Sequence, residues 1–157
     1  MRTPPAKADK PEVLIVDSKG LRQAGIARLL EVWADVMGLS LKGVEPDVLF
    51  NTSCVPANCE MTIISLGSAS IEDGHYQALI KSVRELIPQA PLVVLSDEEQ
   101  PQEIRAAFRQ GAVGYLSNNI EPAIAFRALS FIKNGGDRKS TRLNSSHEIP
   151  SRMPSSA

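Results

Sequence analysis

No stretch of this 157-residue chain comes near the ~18 consecutive apolar residues of a membrane span. Its start, MRTPPAKADKPE, is polar and proline-rich and lacks the apolar core of a secretory signal. Both absences point to a cytoplasmic protein. Only two cysteines occur, Cys54 and Cys59, too few for a disulfide framework. Neither sign of charge dominates: 17 Lys and Arg face 18 Asp and Glu, for a net charge of −1. A strongly basic nucleic-acid-binding surface over the whole chain is thereby excluded. No G-x-G-x-x-G is present. Gly20-x4-Gly25 has the opening spacing of a phosphate loop, but Ile26 follows where the phosphate-binding lysine would stand. These are read as helix glycines. Cys54-x4-Cys59 has no third or fourth ligand nearby, so two free thiols are expected, not a zinc site. Asn51-Thr52-Ser53 spells a glycosylation sequon without a secretory signal. His147-Glu148 lacks the second histidine of a zinc-protease helix. His75 has no partner that would make a nucleophilic set, so no enzyme chemistry is indicated.

What is present is an ordinary globular composition, 43% apolar and 22% charged, long enough for one domain. Residues 1–11 read as a flexible leader. The last 21 residues, DRKSTRLNSSHEIPSRMPSSA, differ from the rest. They have no hydrophobic period and much serine, and a disordered tail is expected. With suitable codons this segment also resembles a translated sequencing-library adapter, which implies an artefactual end on a gene cut near Gly136. Without it, residues 1–136 hold 13 Lys and Arg against 16 Asp and Glu, a net charge of −3.

Between leader and tail, short apolar runs alternate with helical periods. Val13–Val16, Leu39–Val44, Met61–Ser65, Leu92–Ser96 and Val113–Leu116 read as strands, and continuous apolar runs suit strands buried on both faces. Helices are predicted over 20–35, from Tyr76 to Ile87, from Pro101 to Gln110, and from Pro122 to the Gly135-Gly136 pair. Residues 45–60, broken by Pro46, Asn51, Pro56 and Asn58, offer at most one helical turn. Such alternation predicts an α/β fold with a five-stranded, doubly wound parallel sheet. Ligands of such sheets sit at the carboxyl ends of the strands. Here those ends are Asp17-Ser18, Ser65, Ser96 and Ser117-Asn118.

The runs VLIVDSKGLRQAGIARLL and PLVVLSDEEQPQEIRAAFRQGAVGYLSNN, with the closing helix and its Gly-Gly, resemble a response-regulator receiver domain over residues 12–136, most like the NarL/LuxR type. The resemblance implies a flavodoxin-like strand order 2-1-3-4-5 and a phosphorylation pocket. Asp17 matches the first of the family's two metal-holding acidic residues, and Ser18 replaces the second. Ser65 stands where the family's phosphate-accepting aspartate stands. Ser96 keeps the hydroxyl after strand four, and Tyr115 keeps the switch aromatic of strand five. Asn118 replaces the lysine that pairs with the phosphoryl group.

Ser18, Ser65 and Asn118 together read as a degenerate pocket. A hard dication wants several oxygen ligands, and a serine hydroxyl without a base is a weak nucleophile. No cofactor or bound metal is therefore expected. Asp17 either bonds backbone groups of the next loop or keeps a residual ion site. Ser96 and Tyr115 are either strand-end residues or remnants of the switch. The expected function is regulation of transcription through protein–protein contacts without aspartyl phosphorylation. DNA would then be reached only through a missing C-terminal domain. The alternative is a stand-alone receiver-like adaptor that binds a sensor kinase or another regulator. A weak homodimer is expected across a face carrying Arg105, Arg109, Val113 and Ile124, with Ala106 contributing apolar contact.

Overall fold

The computed structural model describes residues 10–49 and 58–135. Cys54, the sequon, His147, most of the leader and the adapter-like tail lie outside them. The chain order is β1 Glu12–Val16, α1 Gly20–Met37, β2 Ser40–Val44, a single turn α2 Pro46–Leu49, and β3 Cys59–Gly67. There follow α3 Gly74–Leu86, β4 Leu92–Ser96, α4 Pro101–Arg109, β5 Gly114–Ser117 and α5 Pro122–Lys133. All five strands are parallel, in the order β2-β1-β3-β4-β5. The fold class and strand order expected from the sequence are both observed. Among the described residues no helix is long and apolar enough to cross a membrane.

The apolar runs are continuous because the sheet is covered on both faces. In β1, Val13, Leu14, Ile15 and Val16 are all fully buried. Their side chains alternate: Val13 and Ile15 pack with Leu30, Trp33, Leu129 and Ile132 of α1 and α5. Leu14 and Val16 pack with Leu79, Ile80, Val83 and Ala107 of α3 and α4 on the other face. Trp33 also reaches α5 through Nε1, which donates to Ser130 Oγ at 2.9 Å.

Two element bounds differ from the sequence reading in instructive ways. Helix α1 runs on to Met37 and stops where Gly38 takes φ +72° and donates its N–H to the carbonyls of Ala34 and Asp35. Strand β3 extends beyond Met61–Ser65 at both ends, because β1 and β4 flank it and supply partners as far as Gly67. Ser65 is thus not the last residue of that strand. The register with β4 slips between Ser65 and Gly67, a local irregularity of the kind that re-aims side chains beside sites.

Candidate functional site

The strand ends converge as the topology requires. Val16 pairs with Ile64, so Asp17, just past β1, and Ser65, two residues before the end of β3, follow as neighbours. Ser96 lies beside Gly67, and Asn118 N donates to Ser96 O at 2.9 Å.

Asp17 is almost completely buried, and its carboxylate accepts three hydrogen bonds. Arg22 donates to it through two nitrogens, Nε to Oδ2 at 2.7 Å and Nη2 to Oδ1 at 2.8 Å. The Lys19 backbone N–H donates to Oδ1 at 2.8 Å. Planar two-point contact of this kind is what a guanidinium does best. The hydrogen bonds to Asp17 raise Arg22 above the ordinary arginine value, against the opposing effect of its partial burial. The expected backbone contact of Asp17 is therefore present, and an ion pair is added that the sequence reading missed. Arg22 lies one turn into α1, which Gln23 anchors by donating to Asp17 O at 3.1 Å and Val44 O at 2.9 Å.

Gly67 makes room for that guanidinium. It has φ +62°, and a Cβ there would lie 2.0 Å from Arg22 Nη1. The end of β3 thus fits an arginine lying across it only while residue 67 is glycine.

The other pocket positions are neutral or internally bonded. Ser18 is exposed. Ser65 is fully buried, and its Oγ has no hydrogen-bond partner among the described residues. Ser96, also fully buried, accepts from Glu98 N at 2.9 Å. Asn118 Nδ2 donates to Asp97 Oδ1. Glu99 accepts from Ser117 Oγ and Asn119 Nδ2, and these bonds hold its carboxyl below the ordinary value.

A receiver pocket implies a divalent cation, and these residues do not fit one. Among the described residues the one buried carboxylate, Asp17, already accepts three hydrogen bonds, two of them from a guanidinium, and Ser18 and Ser65 beside it carry no charge. No group of three His, Cys, Asp or Glu side chains gathers among the described residues.

Tyr115 points inward. It is 7% exposed, and its hydroxyl donates to Glu98 O at 2.7 Å. Burial pushes its phenol above the usual tyrosine value. A raised folded value contributes stability that is whole below the unfolded tyrosine value, about 10, and is lost as pH rises through the folded one. Tyr115→Phe is expected to cost about 1 kcal/mol near neutral pH, the usual net worth of one hydrogen bond. It is also expected to flatten the loss of stability that urea melts read as pH rises above about 10. An equally steep decline in the variant would assign that decline to other groups.

On the face expected for dimerisation, Arg105 and Ile124 are exposed, and Val113 is half-buried. One expected contribution is corrected. Ala106 is 2% exposed and packs into the core, so it offers nothing to a partner. Arg109 pairs with Glu72 at 3.6 Å. Glu103 turns inward, accepting from Ser70 Oγ at 2.7 Å and Ile71 N at 2.8 Å, and so ties α4 to the loop after β3. Arg109 and Glu72 both remain largely exposed, so Arg109 stays open to a partner.

No protein-family model and no curated protein sequence matches the chain. Solved structures do. A LuxR family DNA-binding response regulator from Silicibacter pomeroyi superposes with a TM-score of 0.63 at 22% identity, covering 80% of this chain and 93% of that one. The isolated REC domain of RcsB from Salmonella enterica serovar Typhimurium, in the presence of the phosphomimetic BeF3-, gives 0.64 at 20%, over 81% and 91%. A pilus assembly-related protein from Burkholderia pseudomallei gives 0.67 at 16%, over 80% and 90%. The chain has the receiver fold.

Proposed function

We propose that residues 12–136 are a receiver-type regulatory domain of a DNA-binding response regulator, acting in the cytoplasm through protein contacts and without aspartyl phosphorylation. The observation that carries this reading is the Arg22–Asp17 pair. The arginine places a fixed positive charge against the carboxylate that would otherwise help to hold a dication, while a buried serine stands at the acceptor position. The inward Tyr115 and the Glu103 tie supply one settled arrangement around α4. The domain's output is then a surface and not a reaction. DNA contact belongs to a separate domain of the same regulator, since residues 1–136 carry net charge −3 and non-specific DNA affinity comes from Lys and Arg. Arg105 and Ile124 remain available for a weak dimer across α4, β5 and α5.

A stand-alone adaptor binding a kinase or another regulator is the second reading. The likeness to a pilus assembly-related protein favours it, because the same fold there serves a chain of another description.

The test is phosphotransfer. Incubation with acetyl phosphate or phosphoramidate and magnesium is expected to leave the intact mass unchanged. A stoichiometric gain of one phosphoryl group, abolished by Ser65→Ala or Asp17→Asn, would overturn the proposal.

A further inference from the structure

Helix α1 has a second apolar face that the domain's own core does not use. Its inner face carries Leu30, Trp33 and Ala34, all buried. On the outside stand Leu21 at 89% exposure, Leu29 at 50%, Val32 at 64% and Val36 at 81%. With Gly25 they follow one another at steps of four, four, three and four residues. That is the spacing of a helix–helix seam, sustained over a helix about 27 Å long at 1.5 Å per residue. Gly25 has open space where a Cβ would project, so nothing in the domain explains a glycine at this point of a long helix. A small residue in a seam lets a facing backbone come close.

The charges beside the stripe select the occupant. Lys19, at the N-terminal end, and Arg28 are basic, whereas Glu31 and Asp35, in the C-terminal half, are acidic. All four are exposed. Arg28 and Glu31 are 3.7 Å apart and both largely in water, so their mutual pairing leaves them open to further partners. A parallel two-fold copy of α1 would carry the charged flanks of the two helices to opposite sides of the seam. An antiparallel copy related by a two-fold axis near Leu29 does the reverse. It lays Leu21 against the partner's Val36 and Gly25 against the partner's Val32. Arg28 then meets the partner's Glu31 on the flank the two helices share. Every contact is made twice, as two-fold symmetry demands. A lipid surface would match the apolar stripe but not a flank carrying both signs.

We propose that the outer stripe of α1, Leu21-Gly25-Leu29-Val32-Val36, is a self-association surface that pairs antiparallel with α1 of a second copy of this chain. It is separate from the α4–β5–α5 face and does not depend on whether the domain is phosphorylated.

Sedimentation equilibrium of the full chain is expected to show a monomer–dimer equilibrium. Val32→Glu with Val36→Glu is expected to weaken it about tenfold or more, with the melting temperature unchanged because both sites are exposed. Arg28→Glu alone is expected to weaken the dimer, and Arg28→Glu with Glu31→Arg to restore it, since the swap preserves each cross-pair. As a check that needs no destabilising change, oxidation of a mixture of Leu21→Cys and Val36→Cys chains is expected to give a mixed disulfide dimer in excess of either self-dimer. A monomer at every concentration, a dimer indifferent to the stripe, or a dimer lost through Ile124→Glu instead would each overturn the proposal.

Discussion

Arg22→Ala is expected to lower stability by about 2–4 kcal/mol. Removing one partner of a buried ion pair typically costs about 3–5 kcal/mol, because the other charge is left buried without compensation. Asp17 has 0% side-chain exposure, and Arg22 supplies two of the three donors it receives. The figure is reduced because the Arg22 side chain is 32% exposed, so water can enter when it is removed. Arg22→Lys should fall between, since an ammonium cannot make the two-point contact. Urea unfolding of the three chains measures this directly. A loss for Arg22→Ala below about 0.5 kcal/mol, the range of ordinary surface changes, would show that the guanidinium does not hold Asp17 in solution.

Ser65→Asp, which writes the family's acceptor back into β3, is expected to be more harmful still, at about 3 kcal/mol or more. The side chain is fully buried and stands next in register to Asp17, so the new carboxyl enters a dry site beside a like charge. The guanidinium of Arg22 is already engaged by Asp17. Ser65→Ala is the contrasting case. The serine Oγ has no partner among the described residues, and removing a buried unsatisfied hydroxyl is neutral or stabilising by about 1 kcal/mol. If Ser65→Asp proved as stable as Ser65→Ala, the pocket would be shown to accept a second carboxylate. The argument from Arg22 against a dication would then fail.

The fold was legible because it depends on signals that lie along the chain. Four-residue apolar runs such as Val13–Val16 need cover on both faces, and a parallel sheet provides it. Pro101 and Pro122 open their helices at the first position. The strand-end residues Asp17 and Ser96 were legible too, since each sits at the end of a run whose strand could be counted, whereas β3 continues past Ser65 to Gly67. Where the reading failed, the partners were distant in sequence or had no marker of their own. Glu103 looked like one more charge on an exposed helix, and only the return of loop 70–72 to α4 gives it two donors. Nothing about Ala106 distinguishes a core alanine from an interface one.

Arg22 illustrates the division most clearly. On the proposed reading the residue types already leave the receiver chemistry incomplete, because Ser18, Ser65 and Asn118 cannot supply carboxylates or an ammonium whatever the fold does with them. They do not settle what fills the place. Asp17 and Arg22 stand five positions apart, a spacing with no meaning until β1 ends, the chain turns and α1 begins. The guanidinium reaches the carboxylate because Gln23 pins that first turn to Val44 and because Gly67, a strand away, has no side chain to obstruct it. The alternation of apolar residues, a local property, was enough to choose the fold. The occupant of the pocket and the unused face of α1 depend on which surfaces the packed domain leaves adjacent and which it leaves bare, and those are decided only when distant segments meet.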